Sequence, residues 1–187
     1  MNSLQCVFRR HVLLKKVNLR DSTMREEGGI MPATRLKNLL DKHQIPYRTM
    51  HHVRTITAQE TAQMIHIKGR MMAKTVIVVV RGQLCMAVLP AHEHTDLDQL
   101  KALCSTDDVR VAHEHEFKNR FEDCEVGAMP PFGELYGMGV FVHADLAAAP
   151  EIAFNAGTHD EVIFMAYKDF DDLIKPNIAP IAVESTA

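Results

Sequence analysis

A strand pair at residues 74–89 constrains the fold of this chain more than any other stretch. Thr75-Val76-Ile77-Val78-Val79-Val80 is a β-branched apolar run, Arg81-Gly82 supplies a turn, and Gln83-Leu84-Cys85-Met86-Ala87-Val88-Leu89 reads as the returning strand. The first strand lacks the period-2 alternation of a half-exposed sheet, which predicts burial on both of its faces. Lys74 stands where the polar approach becomes buried sheet. One reading is a gatekeeper charge whose stem packs while its ammonium reaches water. The other is a functional cation, and the residues further along decide between them.

With 187 residues, the chain can build one good core but is short for two domains. Its 47% hydrophobic and 24% charged residues are ordinary for a globular protein. No apolar stretch approaches the ~20 residues that span a bilayer. Cys6, Cys85, Cys104 and Cys124 form no CxxC pair, so reduced thiols in a cytoplasmic protein are the simplest reading. The net charge of −3 hides an uneven distribution: residues 1–30 hold six Lys/Arg and three Asp/Glu, leaving the remainder at −6. Within that acidic remainder, Arg48, Arg54, Lys68, Arg70, Lys74 and Arg81 face one acid, Glu60, before the sign reverses over residues 93–125. This predicts a locally positive side able to hold a few phosphates. It is not the pervasively basic surface that wraps a duplex, so neither DNA nor a membrane is an expected partner.

Residues 1–30 are unlike the rest. They are basic, carry no acid before Asp21, and end in Glu26-Glu27-Gly28-Gly29-Ile30-Met31. Glu-Glu-Gly-Gly needs purine-rich codons, as a translated bacterial ribosome-binding site would supply, and the favoured reading makes Met31 the natural start. An organellar presequence and a short helix at 7–17 are the rivals. In each case residues 1–30 are a disordered or non-native extension to a single domain at 31–180, with 181–187 a tail. Within the domain, helices are predicted at 33–43, at 58–65 behind a Thr57/Glu60 capping box, at 96–103, at 114–121 and at 169–174. Strands are predicted at 47–51, 109–112, 139–144, 151–155 and 162–166. Irregular interleaving of these elements points to a mixed α+β fold, a mixed sheet with helices packed outside.

Four stretches carry candidate chemistry. His92-Glu93-His94 and His113-Glu114-His115 place imidazoles at metal-ligand spacing, but each falls at a strand–helix transition where polar residues cap and face water, and a third ligand at diagnostic spacing is lacking. Gly127-Ala128-Met129-Pro130-Pro131-Phe132-Gly133 is either a stiff connection or a preformed wall that offers backbone groups to a small ligand. Asn155-Ala156-Gly157-Thr158-His159 suits a hairpin turn, although such a turn has no need of His159, which could orient a water or hold an ester. No nucleophile elbow, P-loop or dinucleotide fingerprint is present.

Ala73-Lys74-Thr75 leading into an aliphatic strand, the loop from Gly127 to Gly133, and Phe154-Asn155-Ala156-Gly157-Thr158-His159 together resemble the YbaK/EbsC-type proteins, free-standing relatives of the editing insertion of bacterial prolyl-tRNA synthetase. The resemblance covers about residues 31–180. It implies a curled, partly barrel-like mixed sheet and hydrolysis of the ester joining a wrong amino acid to a tRNA 3′ end, and Met129 and Phe132 in the loop point to a small amino acid. It further implies that Lys74 and His159 are the catalytic groups. Thr75, Gly127, Met129, Pro130, Phe132, Gly133, Asn155, Gly157 and His52 would bind substrate. No metal or other cofactor is implied, and a synthetase is the implied protein partner. The ester is already activated, so holding carbonyl, ribose hydroxyl and water in register needs no protein nucleophile. A non-catalytic module that binds the acceptor end or a synthetase, and a small metal-dependent hydrolase built on the His-Glu-His pairs, remain the alternatives.

Overall fold

The hairpin predicted at 74–89 forms as β2 (Met72–Val80) and β3 (Gln83–Pro90). Its turn residues Arg81 and Gly82 both take positive φ, 51° and 72°, the backbone that matches the right-handed twist of the flanking strands. The computed structural model describes residues 33–184, so the readings placed on residues 1–30 and on Cys6 lie outside the described residues. The other elements are α1 (Thr34–Lys42), β1 (Tyr47–His51), α2 (Ala58–Met64), β4 (Glu93–Thr95), α3 (Leu97–Cys104), β5 (Val109–Val111), α4 (Glu114–Phe117), β6 (Gly139–His143), α5 (Ala144–Ala147), β7 (Glu151–Asn155), β8 (Glu161–Ala166), α6 (Tyr167–Ile174), β9 (Asn177–Ala179) and β10 (Ala182–Glu184).

The main sheet runs β1-β8-β7-β2-β3-β6-β9, with β5 added to the far end of β2; β4 and β10 form a separate ribbon. Pairs β2–β7, β3–β6 and β6–β9 are parallel, whereas β2–β3, β2–β5, β7–β8 and β1–β8 are antiparallel. The sheet is mixed, as predicted. It is not a closed barrel, because β1 and β9 end the path without meeting.

Helices cover both faces of the sheet. Along β2, Ala73, Ile77 and Val79 join the largest core cluster with Leu36 and Leu40 of α1 and Phe170 of α6. Val78 and Val80 point the other way, into a second cluster with Leu100 of α3, while Met72 joins a third with Ala62 of α2. This two-sided burial explains the unbroken apolar run. Helix α2 starts at the predicted box: Glu60 N–H donates to Thr57 Oγ1 at 3.1 Å, and the Thr57 N–H donates to Glu60 Oε2 at 3.0 Å.

Several expectations need correction. Glu93 is not a water-facing cap: it is 5% exposed, because β10 returns to pair with β4 and closes over it. The same pairing extends the ordered domain past 180, with Ile181 fully buried and 182–184 in strand. The helix expected at 114–121 is α4 followed by a 3-10 turn over Lys118–Arg120. The six basic residues do not make one patch. Arg48 pairs with Glu151, Arg54 pairs with Glu125, and Arg81 donates to Cys104 O and Ser105 O at the hairpin tip. Of the six, Arg48 and Arg54 are taken up by acids that the fold brings in.

Candidate functional site

Strand register brings together what the sequence keeps apart. Lys74 pairs with Leu89 across β2–β3, and Val88 pairs with Val142 across β3–β6, so one step further Leu89 neighbours His143. On the other side, the parallel pairing of β2 with β7 ends at Ala73 and Phe154, and Lys74 and Asn155 come next on each strand. Asn155, Lys74, Leu89 and His143 therefore form one row across four strands. Alternation puts the row on the face opposite the largest cluster, since Ala73, Val88, Val142 and Phe154 belong to that cluster. Beyond the row β2 and β7 part, and β2 takes up β5 from Val78 onward.

Lys74 is half-buried at this point, and its Nζ donates to Ala91 O at 3.2 Å. Burial pushes the ammonium below the ordinary lysine range, and the charge of Glu93 opposes that shift. Asn155 is buried and its Oδ1 has no hydrogen-bond partner. Thr75 follows Lys74 on the opposite face, beside Val88.

The two predicted loops meet and lock. Glu125 N–H donates to Gly157 O at 2.8 Å, and Gly157 N–H donates to Ala128 O at 3.0 Å. His159 acts as a strut between them. Its backbone N–H donates to Glu125 Oε2, and its Nε2 lies 3.0 Å from Val126 O. A carbonyl can only accept, so Nε2 donates, and Nδ1 is buried without a partner. Burial raises the pKa of Glu125, but hydrogen bonds from Arg54 and the His159 N–H outweigh it and hold the carboxyl below its usual range. Gly127, at φ +89°, lies under the ring: an added Cβ would sit 3.2 Å from His159 Cε1. The segment at His52 zips onto the same loop, with His52 N–H donating to Asp160 O and Thr55 N–H to His159 O.

The Gly127–Gly133 loop turns its side chains inward. Phe132 is fully buried between Phe154 and Phe170, with ring centroids 5.4 and 5.5 Å away, and Met129 and Pro130 are buried with it. Gly133 admits no side chain, because a Cβ there would lie 2.3 Å from Met138 O. Met129 and Phe132 therefore set the position of the loop from beneath. An open pocket of ≈ 410 Å³ lies between α2 and the turn before β2, lined by Gln59, Gln63, Lys68, Gly69, Arg70 and His92 among others. The sequence reading missed Glu93 and His143 as members of this neighbourhood. Only strand register and the β4–β10 ribbon bring them there, and neither is visible locally.

These elements define a mixed α+β fold with a half-buried lysine where the β2–β7 pairing ends and two loops locked to each other beyond β7. The chain belongs to the aminoacyl-tRNA editing domain family, whose sequence profile matches residues 52–173. Among solved structures, it is similar to a candidate trans-editing enzyme for prolyl-tRNA synthetase (20% identity, 81% of this chain and 96% of that one, TM-score 0.70). It is also similar to the hypothetical protein APE2540 (17%, 79% and 99%, TM-score 0.71). A third likeness, at 18% identity and TM-score 0.62, is to a candidate signal transduction protein from Marinobacter aquaeolei VT8, covering 80% of this chain but 30% of that larger one. No curated protein matches the chain. Among the described residues, no helix is long and apolar enough to cross a membrane.

Proposed function

We propose that this protein is a trans-editing aminoacyl-tRNA deacylase that hydrolyses the ester of a mischarged tRNA carrying a small amino acid. The observation that carries this reading is the half-buried Lys74 at the end of the β2–β7 pairing, in a chain of the editing family. The Lys74 ammonium binds the ester carbonyl and stabilises the negative charge that develops as water adds to the carbonyl carbon. The ester oxygen leaves as the ribose hydroxyl, releasing free amino acid and tRNA. Substrate and water held in register supply the rest of the acceleration, and the scheme calls on no metal.

The locked loops serve as a wall rather than as reacting groups. His159 holds Gly127 and Glu125 in place, Asn155 presents a free carbonyl oxygen beside Lys74, and Gly157 allows the backbones to approach. Lys68 and Arg70 in the open pocket are placed to grip phosphates of the single-stranded end. Support for a small amino acid comes from how closely the row is filled, with Leu89, Met72 and Ala153 all buried around Lys74. Such a site selects by size, acting as a second sieve for small misfits.

The test is hydrolysis of a panel of 3′-labelled aminoacyl-tRNAs. Alanyl, seryl, cysteinyl or threonyl esters should be cleared much faster than leucyl or phenylalanyl esters. Equal rates across the panel would remove the size argument. Acceptor-end binding with no turnover of any ester would leave a binding module instead.

A further inference from the structure

A buried carboxylate lies just beyond the carbonyl that Lys74 uses. Glu93 opens β4, two residues after Ala91, and its Oε2 is buried without a hydrogen-bond partner. Two imidazoles flank it: His92 Nε2 is 3.5 Å from Oε1 and His143 Nε2 is 3.4 Å from Oε2. His143 is 8% exposed, sits in the row with Lys74, and its Nδ1 is unpartnered. A carboxylate taken this far from water needs a positive charge or hydrogen bonds to remain ionised. Lys74 brings that charge, since its Nζ is anchored on Ala91 O at the entrance to the same turn.

We propose that Glu93 is the counter-ion that positions Lys74, with His143 and His92 orienting its carboxylate. This rests on the reading of Lys74 as the ester-polarising cation. Glu93 holds the ammonium charged in spite of its burial. The two imidazoles flank the carboxylate, His92 on Oε1 and His143 on Oε2.

The same residues suggest a second occupant. Ligand atoms of Glu93, His143 and Asp145 lie within 4.8 Å of one another, a spacing that suits a metal ion. Three features favour the ammonium. Lys74, anchored on Ala91 O two residues before Glu93, already brings a positive charge that would repel a divalent cation. Asp145 is exposed on the first turn of α5. His143 Nδ1 also lacks the acceptor that normally fixes a metal-bound imidazole.

The other charged or titratable groups on the elements packed here include Lys68 and Arg70 before β2, Glu60 in α2, Arg110 on β5, Asp145 on α5, Glu151 on β7 and Glu184 on β10, the register partner of Glu93. Glu60 is engaged by its own cap, Arg110 by Glu116, and Glu151 by Arg48. Of the acids named, Glu93 is the buried one, and its charge acts on Lys74.

The experiment follows Lys74 itself. Lysines of the intact protein are reductively methylated with ¹³C-formaldehyde, the Lys74 signal is assigned from K74R, and its titration is read by NMR in the wild type, E93Q and E93D. Removing an opposite charge this close should lower the Lys74 midpoint in E93Q by about one pH unit or more, with E93D restoring part of it. The basic limb of ester hydrolysis should move to lower pH by the same amount, because activity is lost as pH rises through the Lys74 pKa. An unmoved titration in both variants overturns the pairing, whatever the activity. Stoichiometric Zn²⁺ or Mn²⁺ binding by wild type that E93Q abolishes overturns it too, in favour of a cation site. A moved titration in a protein that hydrolyses no aminoacyl-tRNA upholds the pairing and removes the editing reading.

Discussion

The two faces of the central sheet differ in what they can tolerate. On one, Phe132, Phe154 and Phe170 interlock in edge-to-face contacts and Gly133 touches backbone where a methyl would go. On the other, an apolar surface is interrupted by Asn155, Lys74 and His143 in one row, with Glu93 above it. The first face is close-packed and chemically inert, as interiors that define a fold usually are. The second carries buried charges and orphaned polar atoms that work against stability, and a chain keeps such groups where they serve a site.

Substitutions can break this contrast. Phe132→Ala should cost about 3–5 kcal/mol in urea unfolding, as the loss of a buried aromatic generally does. Gly133→Ala, with its methyl forced against Met138 O, should cost about 1–3 kcal/mol by the same measurement. If either variant were as stable as wild type, the packed face would not be the structural one. Away from both faces, Thr57→Ala removes the cap of α2 and should cost about 1 kcal/mol. Smallest of all, Lys168→Ala breaks an exposed pair with Asp172 and should leave the urea midpoint where it is in wild type.

The polar face is sharpened by pH. Burial lowers the Lys74 pKa from its ordinary 10.5, so the ammonium is complete below that lowered value and lost as pH rises through it. Enzyme-dependent hydrolysis, corrected for the alkaline lability of the ester, should therefore fall at a pH below the usual lysine range. A profile flat up to that range would mean that the Lys74 charge plays no part.

Legibility in the sequence followed the range of the interactions involved. The hairpin, the α2 capping box and the strands at 47–51 and 151–155 depend on neighbours in the chain, and their sequence signals match the structure. The three-residue strands β4, β9 and β10 carry too little periodicity to be seen, and they exist because distant partners complete them. The resemblance brought Lys74, Asn155, Gly127 and His159 forward, and the fold brings Asn155 beside Lys74 and Gly127 against His159. Glu93 read as a solvated cap because its burial depends on residues 182–184, almost ninety positions away. The inward-turned Phe132 was equally hidden, since a loop sequence does not say which side of its backbone faces a ligand.

The most direct measurement compares wild type with Lys74→Ala on whichever aminoacyl-tRNA the panel shows to be cleared fastest, with thermal melts confirming that both proteins fold. Loss of the group that stabilises the developing oxyanion should slow hydrolysis by about 10²–10³-fold or more while the variant still melts cooperatively. A folded Lys74→Ala protein that clears the ester at the wild-type rate would contradict the account at its centre.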